Sequence, residues 1–254
     1  MSKTYLICPD SHAIPSHNND RADWLGKFLA DLKPDVFIHM GDAADMPSLS
    51  SYDKGTRGFI GKTYRADIEA HLNFQERLWS PIKKLKKKLP FSIQLIGNHE
   101  NRVNRALDLS PELVGTIGFE DFEFENYYDI VVPYKGSTPG VIELDEILFA
   151  HYFITGVSGR PMGGEHPASS LITKNAMSSI AAHTHLYDYS TRTNINGKTI
   201  NGVVAGCYQD YINDWSGNIG ELWRPGITVL RNVEKGDFDL EFIHLNTLKK
   251  IYGK

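Results

Sequence analysis

Five apolar runs of strand length in this chain break, within a few residues, into Asp, Asn or His. "TYLIC" (4–8) leads through Pro9 to Asp10, Ser11 and His12; "DVFIHM" (35–40) leads to Gly41 and Asp42; "FSIQLI" (91–96) leads to Gly97, Asn98, His99 and Glu100; "EILFA" (146–150) leads to His151; and "MSSIAA" (177–182) leads to His183, Thr184 and His185. Between them lie helix-like segments, near residues 20–32 and from about Tyr64 to Lys88 with a break at Pro81, and a further helix is expected to start at Glu100. Strands alternating with helices are the sequence habit of an α/β fold. In open α/β sheets functional groups gather outside the carboxyl ends of the strands, where rigid elements hold them. Turn preference explains an Asp or Asn after a strand. It does not explain His after four of the five. Three later runs, "GVVAG" (202–206), "ITVLR" (227–231) and "FDLEFI" (238–243), make the C-terminal half the more β-rich.

The 254 residues suffice for one substantial core, and no linker, repeat or low-complexity tract divides them, so a single domain over 1–254 is expected. With 27 basic and 31 acidic residues the formal charge is -4, which gives no global pull toward nucleic acid or anionic membrane. The first residues lack the apolar core of a signal peptide and no run has the length of a membrane span, so a cytoplasmic protein is expected. Cys8 and Cys207 have no zinc-motif spacing and read as two reduced thiols.

The residue types after the strands define the chemistry. Asp10 and His12, like His183 and His185, stand two apart, so in extended backbone each pair projects to one side. Asp10, His12, Asp42, Asn98, His151, His183 and His185 combine carboxylate, amide oxygen and imidazole, a set that suits manganese, iron or zinc better than calcium or a thiolate cluster. Seven ligands exceed one tetrahedral site; two divalent ions sharing a bridging carboxylate, roughly 3.5 to 4 Å apart, would use them all. The ions outweigh the charge of two carboxylates and a bridging hydroxide, so an anion is drawn in, and a hydroxide activated by coordination is suited to in-line attack on phosphorus.

The order Asp-x-His, Gly-Asp-x-x-Asp, Gly-Asn-His-Glu, His, x-His-x-His, spanning residues 10 to 185, resembles the calcineurin-like metallophosphoesterase superfamily. The resemblance implies a four-layer α/β/β/α sandwich with two facing mixed β-sheets. It implies that Asp10, His12, Asp42 and His185 hold one metal and Asp42, Asn98, His151 and His183 the other, with Asp42 as the bridge. It further implies that His99 is not a ligand but meets the leaving group as general acid or electrostatic stabiliser, oriented by Asp45. Two positions depart from the pattern: Ala182 stands where the last motif usually has Gly, and Asp45-Met46-Pro47 replaces the Asp-Arg-Gly of the Ser/Thr protein phosphatases. The missing Arg argues against a protein phosphatase, and "HENR" with a second Arg at Arg105 is closer to the small prokaryotic or phage-type members. The missing Arg also favours phosphodiester over phosphomonoester hydrolysis, with nucleic acid or a nucleotide as a candidate substrate. Manganese is the first choice of metal, with iron, zinc or nickel as alternatives.

Other features read more plainly. Arg102 is a substrate-binding candidate and Arg105 a second, since both lie near a helix start where phosphate is favoured; solvated helix positions are the competing reading. His39, His71 and His244 read as structural, while His17, His166 and the Gly-rich stretch 155–167 are expected on loops that shape access. "KKLKKK" (83–88) fits a helix C-terminus, and the aromatic residues of 208–223 read as packing rather than base stacking. A catalytically silent metal-binding scaffold for a protein partner is the alternative from another class. A metallo-β-lactamase-like hydrolase is discounted because Leu186 and Tyr187 follow "HTH" where that fold needs Asp and His.

Overall fold

The computed structural model describes residues 2–253 apart from Thr155 and Ser158, and for Asp214 and Trp215 it describes the backbone only. The first sheet has six strands in the order β11-β10-β1-β2-β3-β4. In chain terms these are β1 (Lys3–Cys8), β2 (Val36–His39), β3 (Phe91–Leu95), β4 (Ile130–Val132), β10 (Gly226–Glu234) and β11 (Asp237–His244). β1 to β4 are parallel, and the β10-β11 hairpin closes the sheet antiparallel to β1. The second sheet has five strands in the order β5-β6-β7-β9-β8, formed by β5 (Ile142–Leu144), β6 (Ile147–Phe149), β7 (Ser178–Ala181), β8 (Tyr187–Thr193) and β9 (Thr199–Ala205). β6, β7 and β9 are parallel, with antiparallel strands at both edges.

Period-two alternation along the strands sorts the core into layers. Tyr5, Ile7, Ile38, Ile93 and Leu95 face Ile147, Phe149, Ile180 and Val203 across the space between the sheets. The intervening residues Leu6, Cys8 and Phe37 turn to the outer face, where they meet Leu25, Leu29, Phe74 and Leu78 of α1 (Asp20–Leu32) and α2 (Tyr64–Lys84). On the far side, Ala168 and Leu171 of α4 (Pro167–Asn175) pack on Ala181 and Val204. The result is the α/β/β/α layering, completed by α3 (Arg102–Leu109) and the C-terminal α5 (Leu245–Tyr252). No helix among the described residues is long and apolar enough to cross a membrane.

Three boundaries differ from expectation. α2 passes through Pro81 and stops at Lys84, with Lys86 in left-handed backbone. Pro81 lies so near the helix end that little of the ladder is lost, and its ring packs against α1 at Gly26, where a Cβ would meet Pro81 Cγ at 2.9 Å. α3 begins at Arg102 rather than Glu100, because the Glu100 side chain is drawn into the core. Of the Gly-rich stretch 155–167, Thr155 and Ser158 lie outside the described residues; Met162 is buried and Gly163 to His166 are exposed.

Candidate metal centre

The five strand tips converge. β1, β2 and β3 deliver Asp10 and His12, Asp42, and Asn98 from the first sheet, and β6 and β7 deliver His151, and His183 and His185, from the second. All but Asn98 and His183 are buried. Ligand atoms of Asp10, His12 and His185 lie within 4.8 Å of one another, as do those of Asp42, His151 and His183, and a third such group joins His12, Asp42 and His99.

Two glycines allow this approach. Gly41 adopts φ +100, and a Cβ there would strike Gly97 N at 2.8 Å and His151 Nδ1 at 2.9 Å; a Cβ on Gly97 would stand 2.1 Å from Asp42 Oδ1. The two motifs therefore touch through their backbones. His12, Asp42, His183 and His185 all adopt positive φ, between 43 and 68, a conformation that costs an ordinary residue about 1 to 2 kcal/mol. Fixed hydrogen bonds hold these turns: His12 N–H donates to Asp42 O (2.9 Å), His183 N–H to Asp10 Oδ2 (2.7 Å), and Arg224 N–H to His185 O (2.9 Å). Ala182 does not carry the left-handed turn, which falls on His183 instead, so the motif does without its usual Gly.

Glu100 is the residue that sequence reasoning missed. Fully buried, it accepts from Gly97 N–H (2.8 Å), Asp42 N–H (3.1 Å) and Ala44 N–H (2.9 Å), and so ties the Asp42 loop to the Asn98 loop. Burial and the neighbouring Asp42 push its carboxyl up to about 7, against the pull of the Ala44 and Gly97 N–H groups. Its signal was present in "GNHE", as an acidic residue where a helix first turn would tolerate one. Asp45 also does more than expected. Its Oδ1 lies 3.0 Å from His12 Nδ1 and 2.9 Å from His99 Nδ1, so one carboxylate oxygen fixes the tautomer of both rings.

The inner atoms need a cation. His151 Nδ1–H donates to Met40 O (2.9 Å), which turns its Nε2 lone pair toward Asp42 Oδ2 (3.2 Å), Asn98 Oδ1 (3.0 Å) and His183 Nδ1 (3.2 Å). His12 Nδ1–H is engaged by Asp45, so its Nε2 also presents a lone pair, 3.1 Å from His185 Nε2. Asp10 Oδ1 is buried without a hydrogen-bond partner. Buried acceptors facing one another unprotonated are unfavourable unless a positive charge sits between them. The donor set thus fits divalent ions of imidazole and carboxylate preference.

Without ions, a proton takes part of that role. Burial opposes charge on His151, yet Asp42 and Asp10 outweigh it and raise the pKa from 6.5 to about 9, while burial and His151 lower His183 to about 4. A raised imidazole stabilises the fold fully below its unfolded value and loses that contribution as pH climbs through the folded value. Chelator-treated protein is therefore expected to lose roughly 5 °C of melting temperature between pH 6.5 and 9. The metal-loaded protein should not. Melts across that window check this, and equal losses in both forms would refute it.

A family model described as calcineurin-like phosphoesterase matches residues 3–242. The chain belongs to that family. Its members are metal-dependent phosphoester hydrolases, consistent with the clustered His and Asp side chains. Among curated relatives, the Gene 54 proteins of Mycobacterium phages L5 and D29 are each 28% identical over 130 residues, covering 51% of this chain and 48% of theirs. The chain thus spans about half the length of these relatives. The crystal structure of TT1561 of Thermus thermophilus aligns over 96% of this chain and 100% of its own, with 12% identity and a TM-score of 0.38.

The remaining candidates separate clearly. Arg102 Nη1 donates to Asp45 O (2.7 Å) and Met46 O (3.1 Å), and its Nη2 lies 3.3 Å from His99 Nε2, so it braces the loop while flanking His99. His39 is buried and bonded to Ser11 Oγ (3.0 Å), burial lowering it to about 3, and His71 bonds Phe122 O (3.1 Å); both are structural, as read. His17 stacks on Tyr211, whose hydroxyl donates to His12 O, placing His17 at the rim. His166 is exposed at the start of α4. Cys8 and Cys207 are buried free thiols.

Proposed function

We propose that this phosphoesterase is a binuclear phosphodiesterase. In this reading Asp10, His12, Asp42 and His185 hold one ion and Asp42, Asn98, His151 and His183 the other, with manganese the first candidate. When bound, the ions supply the positive charge that draws in the phosphate and the activation of a water for attack on phosphorus. The observation that carries the proposal is Asp42 Oδ2, which stands 3.2 Å from His151 Nε2 and 3.6 Å from His12 Nε2, between the two donor groups.

The chain's own residues do the rest. His99 Nδ1–H is held by Asp45, through its carbonyl (2.7 Å) and Oδ1 (2.9 Å), while Nε2 faces Arg102 Nη2 at 3.3 Å. Burial and Arg102 oppose a second proton on His99, but Asp42 and Asp45 prevail and the pKa is raised. A proton on Nε2 is then available to the departing oxygen. A guanidinium only donates, so a proton on Nε2 requires Arg102 Nη2 to turn from the ring, and in this reading it turns to an anionic oxygen of the substrate. The absence of the protein-phosphatase Arg after Asp45 favours a diester, whose single negative charge needs less clamping than a monoester dianion.

Protein purified without chelator should carry close to two ions and hydrolyse a generic diester faster than the matching monoester. Two ions without hydrolysis across a broad phosphoester panel would instead favour the silent scaffold. His99→Ala is expected to retain its metal and lose about 10² to 10³ in kcat, most for esters with poor leaving groups. Equal losses on good and poor leaving groups would remove His99 from the proton-transfer role.

A further inference from the structure

Immediately after Asp45 the chain makes a tight turn at 47–49 and then runs through a surface loop, with a second such turn at Arg57–Phe59, until α2 begins at Tyr64. The fold makes little use of this loop's large side chains: Tyr52 is 89% exposed, Ile60 80% and Phe59 40%. Lys62 is held by Asp53 (2.7 Å), but Lys54 and Arg57 are exposed and form no ion pair among the described residues. The base of the loop is pinned beside the candidate centre. Arg102 bonds the carbonyls of Asp45 and Met46, α3 packs on the 47–49 turn, and Ser48 N–H is held by Asp67 Oδ2 (2.9 Å). Arg105 is a further exposed cation on α3, the helix that packs on the 47–49 turn. In a chain of net charge -4, this local excess of cations runs against the overall balance.

We propose that loop 51–62 is a docking platform for single-stranded nucleic acid, which it holds on the His99 side of the metal centre. Exposed rings interleaved with cations supply the two things a single strand offers partners for: stackable base faces and a regularly charged backbone. A duplex hides its base faces, and a small phosphoester needs neither group. Tyr52 and Phe59 stack on bases, and Lys54, Arg57 and Arg105 track phosphates, so that one phosphate of the strand enters the centre. The proposal rests on the phosphodiesterase reading for its chemistry, but not for its binding.

The test uses two double variants, Tyr52→Ala with Phe59→Ala, and Lys54→Ala with Arg57→Ala, on the full chain. Each is assayed on a 20-nucleotide oligothymidylate and on methyl 4-nitrophenyl phosphate, a diester too small to reach the loop. KM for the oligonucleotide should rise about tenfold or more in each variant. Hydrolysis of the small diester should stay within twofold of wild type, and the cation pair should also flatten the salt dependence of KM. Fluorescence anisotropy of labelled oligothymidylate reads binding without turnover. If wild type hydrolyses neither substrate, the phosphodiesterase reading fails, and anisotropy alone decides the platform. Unchanged oligonucleotide binding in both variants, no binding by wild type, or equal competition by duplex DNA overturns the proposal. So does a parallel loss on the small diester.

Discussion

Asp42→Asn is expected to lose both ions and to lower kcat/KM for a phosphodiester by about 10³. The geometry makes the outcome specific. Asp42 Oδ1 already accepts the His99 main-chain N–H (2.9 Å), so an asparagine would keep its oxygen there and turn its amide toward the place of Oδ2. That amide would aim protons at His151 Nε2 and His12 Nε2, the lone pairs the proposal assigns to the cations. Side-chain volume and the His99 bond survive, so the fold should too. Metal analysis and a thermal melt of the same preparation separate the two effects. Full activity, or normal loading of either ion, would exclude a bridging role.

The second large effect is at Glu100. Glu100→Ala would orphan the buried N–H groups of Gly97, Asp42 and Ala44 together, and should cost about 3 to 5 kcal/mol in urea unfolding. Glu100→Gln probes how charge enters. The carboxyl keeps its proton to about 7 in the metal-free protein; glutamine keeps its volume and an oxygen for the Gly97 and Asp42 N–H groups but sets its amide against the Ala44 N–H, so it should be less stable than wild type at low pH, though by less than alanine. Because its folded pKa lies above the ordinary 4.5, wild-type stability falls as pH rises through that interval, whereas the Gln variant should stay flat. Metal affinity of the Gln variant should drop about 10 to 100-fold, since cations at Asp42 remove the repulsion that kept Glu100 neutral. Unchanged affinity would reduce Glu100 to a purely structural clamp.

The site was legible because its chemistry sits where regular structure ends. Each apolar run marked a strand, and ligand-type residues at five strand tips could converge only if the strands lay side by side. Strands that are short or lack a continuous apolar run were not legible. β8, "YDYSTRT", is an edge strand with an exposed face and carries no continuous hydrophobic signal, while β4 and β5 are three residues each and owe their pairing to neighbours. α4 and α5 escaped notice because short helices gain their stability from packing rather than propensity. The passage of α2 through Pro81 and the start of α3 at Arg102 were both set by tertiary contact, of Pro81 with Gly26 and of Glu100 with three amides, while α2 ends where Lys86 turns left-handed and Lys87 N–H returns to Ile82 O. Glu100 and the shared oxygen of Asp45 could not be read for the same reason: a side chain's role as a brace depends on which backbone lies opposite it.

The donor atoms come from both sheets, four residues from one and three from the other, across a seam filled by Tyr5, Ile7, Ile38, Phe149 and Ile180. A slide of one sheet over the other by a single ångström would change the spacing between the two halves of the ligand set. Under the proposed function, stiffness of that greasy seam, remote from the strand tips, is thus a component of the accuracy with which the centre is set. Trimming a methyl group there would detune the chemistry before it unfolded the protein.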